Sequence, residues 1–347
     1  MVADELDFVI GVDPHRDAHA LAVVEALTGR VVLAAELAAS TRGYREAVRL
    51  AQTRAPGRRA WAIEGTGCYG AGLARFLAAR GERVLEVGRP RRERRSQAKT
   101  DALDAVRAAR SVLTGERPAA PRAHGAREAL RALTVAREGA LVAKKAALCQ
   151  LRALLVTCPE PLRAELAPLT RARLLSRCAR LRPDRSVEVE RHGTLLALRA
   201  LARRVQALTR EERELGRELE ALVRTLAPTL LAEPGVGPIS AAQVLIAWSH
   251  QGRLRSEAAF ARLAGAAPIP ASSGQTLRHR LDRGGDRQLN RALHTIIISR
   301  RKGHAQTIAY VERRLSEGKS VREAIRCLKR YLARHLYRML EATPMTA

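Results

Sequence analysis

Four carboxylates are the residues of this chain whose types and positions most directly suggest chemistry. Asp13 and Glu64 each end a short apolar run, while Asp101 and Asp104 follow a dense arginine cluster. The spacing of three residues puts Asp101 and Asp104 on one face of a helix. Carboxylate oxygens are the ligands that Mg²⁺ and Mn²⁺ prefer, and acidic side chains from several elements can clamp such ions beside a phosphate. Because carboxylates held together repel one another without a cation, the four together predict a divalent-metal site.

Each of these residues also has an ordinary structural explanation. Asp13 could begin a turn at the proline that follows it, and Asp101 with Asp104 could stabilise the positive end of a helix dipole. Only the joint pattern of the four carboxylates favours a site. His15 and His19 flank the same strand end and could assist catalysis or contact phosphate, but ordinary turn and strand polarity is the favoured interpretation of both.

The chain around these carboxylates is strongly basic. Its 347 residues include 62 Lys and Arg against 35 Asp and Glu, which gives a formal net charge of +27. Nucleic acid is the favoured partner, because phosphate neutralisation supplies most of the non-specific affinity for it, and an acidic membrane surface is the weaker one. Aromatic residues make up only 3% of the chain, which argues against a single-strand platform of stacked rings. Since no segment reads as a membrane span and the five cysteines are scattered, we expect a cytoplasmic protein, nucleoid-associated when active.

Three groups of residues are candidates for contact with phosphate. They are the arginine cluster before Asp101, the Pro-Gly-Val-Gly-Pro turn at 234–238 and a basic stretch after the serine-glycine loop at 272–274. The turn resembles the hairpin of helix-hairpin-helix modules, in which backbone N–H groups grip phosphate. A solvated charged loop and a plain helix-linking turn remain the alternatives for the first two groups. The candidate nucleic-acid-binding residues are Arg91, Arg92, Arg94, Arg95, Lys99, Gly235, Gly237, Arg278, Arg280, Arg283 and Arg287.

The loop at 272–274 has a possible chemical role of its own. Ser273, on a glycine-containing loop among arginines, could attack a phosphodiester while the arginines stabilise the charged transition state. Serine-glycine loops are common, however, and Ser273 has no evident base beside it in the sequence. His279 could act as that base or could contact phosphate.

The elements that must position these residues predict an α/β plus all-α chain. Up to about residue 115, three meandering strands precede a helix, a strand, a helix, a strand and a helix, the order expected of a ribonuclease-H-like domain. Residues 125–227 have helical periodicity and predict long helices, of the kind that pair as a coiled coil. Beyond the turn at 234–238, we expect a helix from Ala241 to Trp248 and, after the basic stretch, two further helices. The predicted strands are 7–13, 18–24, 30–34, 59–63 and 83–87, and the first three predicted helices are 41–54, 70–80 and 101–113.

Six sequence blocks together resemble one family, the IS-one-ten type insertion-sequence transposases, which are relatives of the pilin-gene invertases. Three blocks look like the family's DEDD motifs, and three are similar to its second conserved domain. They are residues 11–15, 64–69 and 99–105 in the first set, and the turn at 234–238, the Ser-Gly loop at 273–274 and the Gly-Asp-Arg-x-Leu block at 285–289 in the second.

The resemblance implies a RuvC-like domain at 1–118, a helical coiled-coil linker at 119–228 and a mainly helical C-terminal transposase domain at 229–347. It implies homo-oligomers, dimers or tetramers, acting on double-stranded DNA at element ends and target. It also implies a structured guide RNA from the element's own end, the bridge RNA, which pairs with both DNAs.

The same resemblance assigns roles to individual residues. Asp13, Glu64, Asp101 and Asp104 are implied as catalytic ligands of Mg²⁺ or Mn²⁺. Ser273 is implied as the nucleophile that joins transiently to a DNA end, with the carboxylates coming from another subunit.

The chain departs from the family's pattern at a few positions, and other functions stay open. Asn290 stands where the family often has Arg, the segment 248–252 lacks the usual acidic residues, and Ser272 leaves the register of the nucleophile open by one residue. One alternative is a RuvC-like, structure-specific endonuclease in which water attacks, and another is a non-catalytic nucleic-acid-binding protein. An actin-like nucleotide phosphatase or kinase is disfavoured, because glycine-rich phosphate loops are missing.

Overall fold

The computed structural model describes residues 2–88, 100–114, 118–185, 188–271, 274, 279–280 and 282–342. The chain divides into two compact units. The first comprises Met1–His124 with Ser249–Arg255, and the second comprises Gly125–Trp248 with Ser256–Ala347. The boundary predicted between residues 228 and 229 falls inside the second unit.

The first unit has the mixed α/β architecture and the order of elements that the sequence predicts. Its strands are β1 (Phe8–Pro14), β2 (Ala18–Glu25), β3 (Val31–Ala38), β4 (Arg59–Glu64) and β5 (Val84–Val87). Its helices are α1 (Thr41–Arg54), α2 (Ala71–Ala78) and α3 (Asp101–Leu113), preceded by a 3-10 turn at Val2–Glu5. Strand β3 continues four residues beyond its predicted end, because it is an edge strand whose alternating exposure breaks the apolar run.

The five strands form one sheet in the order β3-β2-β1-β4-β5. Strand β1 runs antiparallel to β2 and parallel to β4, and β5 runs parallel to β4. Val12 of β1 is paired with Ile63 of β4. Asp13 and Glu64 each lie one residue further along, so both stand at the carboxyl end of adjacent parallel strands, where open α/β sheets generally bind ligands.

Helix α3 lies unusually close to β1. A Cβ atom added to Gly11 would lie 1.9 Å from the carbonyl oxygen of Ala105 and 2.7 Å from the backbone nitrogen of Ala109. Only glycine in the strand, facing alanines in the helix, permits this approach. The close contact fixes where α3 begins, and it therefore fixes where Asp101 and Asp104 stand relative to the strand ends.

The other face of the sheet carries the larger apolar side chains. Ile10 and Trp61 pack there with Leu73 and Leu77 of α2, and all four are almost completely buried. Full burial of such a side chain stabilises a fold by about 1.5–3 kcal/mol. The sheet is thus held rigidly from one side by apolar packing, while the thinner alanine face of α3 covers the other.

The second unit is mostly helical, as predicted. Its first helices are α4 (Ala126–Thr157), α5 (Glu160–Leu166), α6 (Arg171–Ala179), α7 (Val189–Leu226), α8 (Pro228–Ala232), α9 (Pro238–Trp248) and α10 (Glu257–Leu263). A two-stranded hairpin, β6 (Ile269–Pro270) and β7 (His279–Arg280), leads to α11 (Arg287–Arg300), α12 (Ala305–Ser316) and α13 (Val321–Ala342). Helix α9 begins three residues before its predicted start, because proline is well suited to the first helical position.

The prediction of two helices after the basic stretch is wrong, since the structure has three. The apolar pattern continues across the breaks, but Gly303 follows the end of α11 and Gly318 ends α12. Gly318 has a φ of 75°, the left-handed conformation that commonly terminates a helix. None of the described helices combines the length and hydrophobicity that crossing a bilayer requires.

The two longest helices, α4 and α7, pack against each other along much of their length. Glu212 of α7 pairs with Arg137 of α4 at 2.9 Å and also with Lys144. Leu151 of α4, further along the chain, shares an apolar cluster with Leu198 of α7, which precedes Glu212. The two helices therefore run antiparallel within one subunit.

Candidate metal centre and nucleic-acid interface

Three side chains meet at the carboxyl end of β1. The Nε2 atom of His15 lies 3.2 Å from Asp13 Oδ2 and 3.4 Å from Asp101 Oδ2. One ligand atom from each of these three residues lies within 4.8 Å of the other two. Asp13 is largely buried, whereas His15 and Asp101 are exposed, so the group faces solvent across one side.

The pKa of Asp13 is raised, chiefly because burial disfavours the charged form. The negative charges of Asp104 and Asp101 raise it further, while the imidazole of His15 opposes the shift. The negative charges of Asp104 and Asp101 therefore lie close enough to Asp13 to disfavour its charged form. A positive charge placed among them would relieve this repulsion.

Asp104 and Glu64 occupy the edges of this group. Asp104 Oδ1 accepts a hydrogen bond of 2.7 Å from Arg107, one turn further along α3. Glu64 is half-buried at the end of β4, in the strand adjacent to Asp13. Asp101 and Asp104 also lie in the first turn of α3, where the helix dipole favours negative charge, so their structural role and a role in a site are compatible.

His15 is the residue of this group that the sequence did not favour. Sequence analysis preferred ordinary turn polarity for it, yet its ring lies between two carboxylates. The signal was its spacing, because residues i and i+2 of an extended segment point to the same side, and His15 follows Asp13 by two. His19, by contrast, is buried and stacks on Tyr44 with ring centroids 5.7 Å apart, which is a packing role.

The donor set fits a divalent cation. Two carboxylates and an imidazole that converge on one point, with two further carboxylates nearby, are chemically suited to a metal ion. Asp13, His15 and Asp101 are the residues placed to hold it directly. Hard oxygen ligands dominate the set, which suits Mg²⁺ or Mn²⁺.

Seven of the predicted site residues lie outside the described part of the chain. They are Arg91, Arg92, Arg94, Arg95, Lys99, Ser273 and Arg278. The described neighbours of Ser273 are Gly274, with a φ of 54°, and the short strands β6 and β7, in which Pro270 is paired with His279.

The turn at 234–238 packs against helix α11 of the same unit. Gly235 has a φ of 77°, and an added Cβ would lie 3.0 Å from the carbonyl oxygen of Ile296. Arg300 donates hydrogen bonds to Pro234 O at 2.7 Å and to Glu233 at 2.8 Å. The carbonyl of Gly237 then accepts the first hydrogen bond of α9, from Ala241 at 2.9 Å. The turn is therefore a rigid entry to a helix N-terminus, as a phosphate-binding hairpin requires.

The remaining predicted arginines lie on and after the hairpin. Arg280 belongs to β7, Arg283 precedes α11, and Arg287 is the first residue of α11; all three are exposed. Asp286 caps that helix by accepting hydrogen bonds from the N–H groups of its first turn, at 2.9 Å and 3.0 Å. The three guanidinium groups therefore project from an ordered support.

The fold and this site together define a class of protein, the DEDD nuclease-like transposases. Residues 10–159 match the family model of DEDD-type IS110 transposases. Residues 227–312 match the model described as the transposase IS116/IS110/IS902 family. The two matches together cover more than half of the chain, which belongs to the IS110 family of transposases.

A curated relative points to the same family. The chain is 30% identical over 178 residues to the insertion element IS110 uncharacterized 43.6 kDa protein of Streptomyces coelicolor. This similarity covers 50% of the present chain and 44% of the relative, so the chain spans less than half the length of the curated protein that it matches.

Proposed function

We propose that this protein is a DNA recombinase that cleaves strands at the ends of an insertion sequence and joins them to target DNA. The observation that carries the proposal is the convergence of Asp13, His15 and Asp101 in a chain matched by two transposase models. A net charge of +27 supports a polyanionic substrate. The strand order of the first unit supports a RuvC-like, ribonuclease-H-like domain.

The acidic residues of the first unit are proposed as the metal-binding half of the chemistry. Asp13, Glu64, Asp101 and Asp104 would hold Mg²⁺ or Mn²⁺. When bound, such an ion supplies positive charge to the phosphoryl oxygens of the substrate. His15 lies between the carboxylates of Asp13 and Asp101, and its Nε2 atom would join them as a ligand.

Ser273 is proposed as the nucleophile. Its hydroxyl oxygen would form a bond to phosphorus while the bond from phosphorus to one deoxyribose oxygen breaks; that oxygen takes up a proton and leaves as a free hydroxyl. The phosphodiester energy is kept in the protein–DNA bond, so rejoining needs no other energy source. The resemblance of the Ser-Gly loop to that of the family supports this assignment, and Ser273 lies within the matched range 227–312.

A guide RNA is proposed as the source of sequence recognition. Base pairing between a structured RNA from the element and both DNAs would select target and donor, while the protein binds backbones through its positive charge. The family resemblance supports this part of the proposal, together with the large surplus of basic residues.

Assembly of several subunits is proposed through a coiled coil formed by α4. Exposed apolar residues recur along that helix every seven residues, which is the heptad spacing of a coiled coil. Small residues between them recur at the same spacing. Val135, Val142 and Val156 are 61%, 71% and 69% exposed, and Cys149 completes the series. This seam lies apart from the side of α4 that packs on α7, so it is available to a second copy.

The test is a recombination reaction with donor DNA, target DNA and guide RNA, scored for covalent protein–DNA adducts. Ser273→Ala should abolish both adducts and recombinants, and Ser272→Ala is the matched control that should retain them. The water-attack alternative would instead release 5′-phosphate ends with no protein attached. Binding of DNA without any strand cleavage would identify a non-catalytic binder.

A further inference from the structure

A second charged feature of the molecule lies within the second unit. A cleft of about 680 Å³ opens between the β6–β7 hairpin and helices α12 and α13. Six of the residues that line it are cations, and they come from three different parts of the chain. They are Arg280, Arg314, Lys319, Arg326, Lys329 and Arg330.

The acidic side chains in this lining do not balance the cations. Asp282 and Glu323 also line the cleft, and both accept hydrogen bonds from residues close to them in sequence. Asp282 Oδ1 accepts a hydrogen bond of 2.8 Å from the N–H of Gly284, and Glu323 accepts two of 2.8 Å from Ser320. Arg314 is paired with Glu317, so the other five cations face two carboxylates, which leaves a surplus of positive charge in a confined space.

Lys329 is the most unusual of these cations, because it is only 9% exposed. Its Nζ atom donates a hydrogen bond of 2.9 Å to Asn290 Oδ1, a neutral acceptor. Burial lowers the pKa of Lys329, and the positive charge of Arg326 lowers it further. Holding an ammonium group there costs free energy that a nearby anion would recover.

The exposed arginines beside Lys329 are unpaired in the part of the chain that the structure describes. No described carboxylate lies within 4.0 Å of Arg280, Arg326 or Arg330. Arg326, Lys329 and Arg330 are three and four residues apart, so they share one face of α13. Three cations on one helix face repel one another, which is unfavourable unless an anion lies among them.

We propose that this basic cleft binds the phosphodiester backbone of a nucleic-acid strand. Lys329 is the buried anchor for one phosphate, and Arg326 and Arg330 contact the phosphates beside it. This inference rests on the proposed function for the nature of the polymer, but it requires neither the metal centre nor the serine. It assigns to Lys329 and α13 a role in positioning the strand within the second unit.

The test measures affinity against salt concentration for the full chain, with a DNA duplex and with an RNA of the same sequence. Arg326→Met and Arg330→Met remove exposed charges, so the fold is not at risk. Each should weaken binding roughly tenfold at low salt and reduce the salt slope by about 1. Arg322→Met removes the same charge from an exposed position of α13 outside the cleft, and it should have a clearly smaller effect.

Lys329→Met keeps the length of the buried stem and removes the charge. It should leave the melting temperature unchanged or higher while lowering affinity at least as much as Arg326→Met. Loss confined to the duplex assigns the cleft to DNA, and loss confined to the RNA assigns it to the guide. Equal losses in Arg322→Met and Arg326→Met, or unchanged binding in the Arg326→Met/Arg330→Met double variant, would overturn the proposal.

Failure of this inference is separable from failure of the proposed function. Wild-type protein that recombines DNA, with cleft variants that bind normally, would overturn the cleft alone. Wild-type protein that forms no adducts, with binding that still depends on Arg326 and Arg330, would overturn the recombinase alone.

Discussion

Two regions of the molecule have opposite charge but share one property. They are the acidic end of the sheet in the first unit and the basic cleft in the second unit. Each holds like charges closer together than is favourable without a counter-ion. At the sheet end, burial and the negative charges of Asp104 and Asp101 raise the pKa of Asp13; in the cleft, burial and the positive charge of Arg326 lower the pKa of Lys329. The first arrangement calls for a cation and the second for an anion. In the proposed function, a divalent metal would satisfy the first requirement and a nucleic-acid phosphate the second.

The two regions differ in how their charges are brought together. The acidic group lies at the ends of adjacent strands and at the start of one helix. Its members are therefore positioned by secondary structure alone. The basic cleft depends on a tertiary arrangement that makes α13 and a hairpin distant in sequence line the same space. The comparison teaches that a site built on strand ends can be found from sequence, whereas a site built by tertiary packing cannot.

Removing one carboxylate from the acidic end should have the largest effect. Asp13→Asn should lower the rate of strand cleavage about a thousandfold or more, since a metal contributes several kcal/mol and each 1.36 kcal/mol is tenfold. The rate of adduct formation in Mg²⁺ or Mn²⁺ is the measurement. Asp17→Asn, an exposed carboxylate in the same turn, is the control that should keep full activity. Equal activity in both variants would remove the metal centre from the mechanism.

The support beneath the acidic end can be broken without touching a charge. Gly11→Ala places a Cβ against the backbone of Ala105, so α3 must move or the sheet must distort. We expect a loss of about 3 kcal/mol in the free energy of unfolding, measured with denaturant, and weaker metal binding in the folded fraction. Gly88→Ala has open space around the added methyl and should be close to neutral. Similar stabilities would show that the close approach of α3 is not needed.

The proposed seam on α4 can be tested by its effect on the assembly of subunits. Val142→Glu puts a charge at the centre of the exposed series and should shift the assembly towards monomer, as measured by light scattering. Mild oxidation should link two wild-type chains through Cys149, and Cys149→Ser should prevent this. Val135→Thr, a similar shape at the end of the series, should change assembly less. An unchanged mass for Val142→Glu would exclude this seam as the interface.

A paired carboxylate in the same unit should show the smallest effect. The pKa of Glu82 is lowered, chiefly by hydrogen bonds from Arg59. A lowered pKa means that this stabilisation is fully present above the unfolded pKa of about 4.3 and is lost as the pH falls through the folded value. Glu82→Gln should cost about 1.5 kcal/mol at neutral pH and make unfolding less sensitive to acid. An acid dependence identical to wild type would show that Glu82 contributes nothing to it.

Much of the first unit could be predicted, because its apolar runs and capping residues indicate the same strands and helices that the fold contains. The strand ends placed Asp13 and Glu64 together, and the capping pattern placed Asp101 in the first turn of α3. His15 was undervalued because its spacing of two residues from Asp13 was not weighed against the ordinary polar role of a histidine in a turn. The close packing of α3 on the sheet could not be predicted. It depends on a backbone contact at Gly11, and the pattern of apolar residues contains no information about such a contact.

The second unit was predicted less completely, for reasons of packing. Its helical character followed from periodicity, but the break at Gly318 was missed because apolar spacing continues across it. The importance of Lys329 could not be foreseen, because its burial and its bond to Asn290 join residues 39 positions apart. Asn290, noted only as a departure from the family's usual arginine, is the group that holds this lysine.

The contact between Gly11 and Ala105 has a consequence for how such a protein can change over time. Two main chains, rather than two side chains, set the spacing between strand and helix. Side chains around the contact can therefore be exchanged widely while the carboxylates stay in register. Sequence change can therefore remodel the basic surfaces of the protein and leave the geometry of the acidic group where it is.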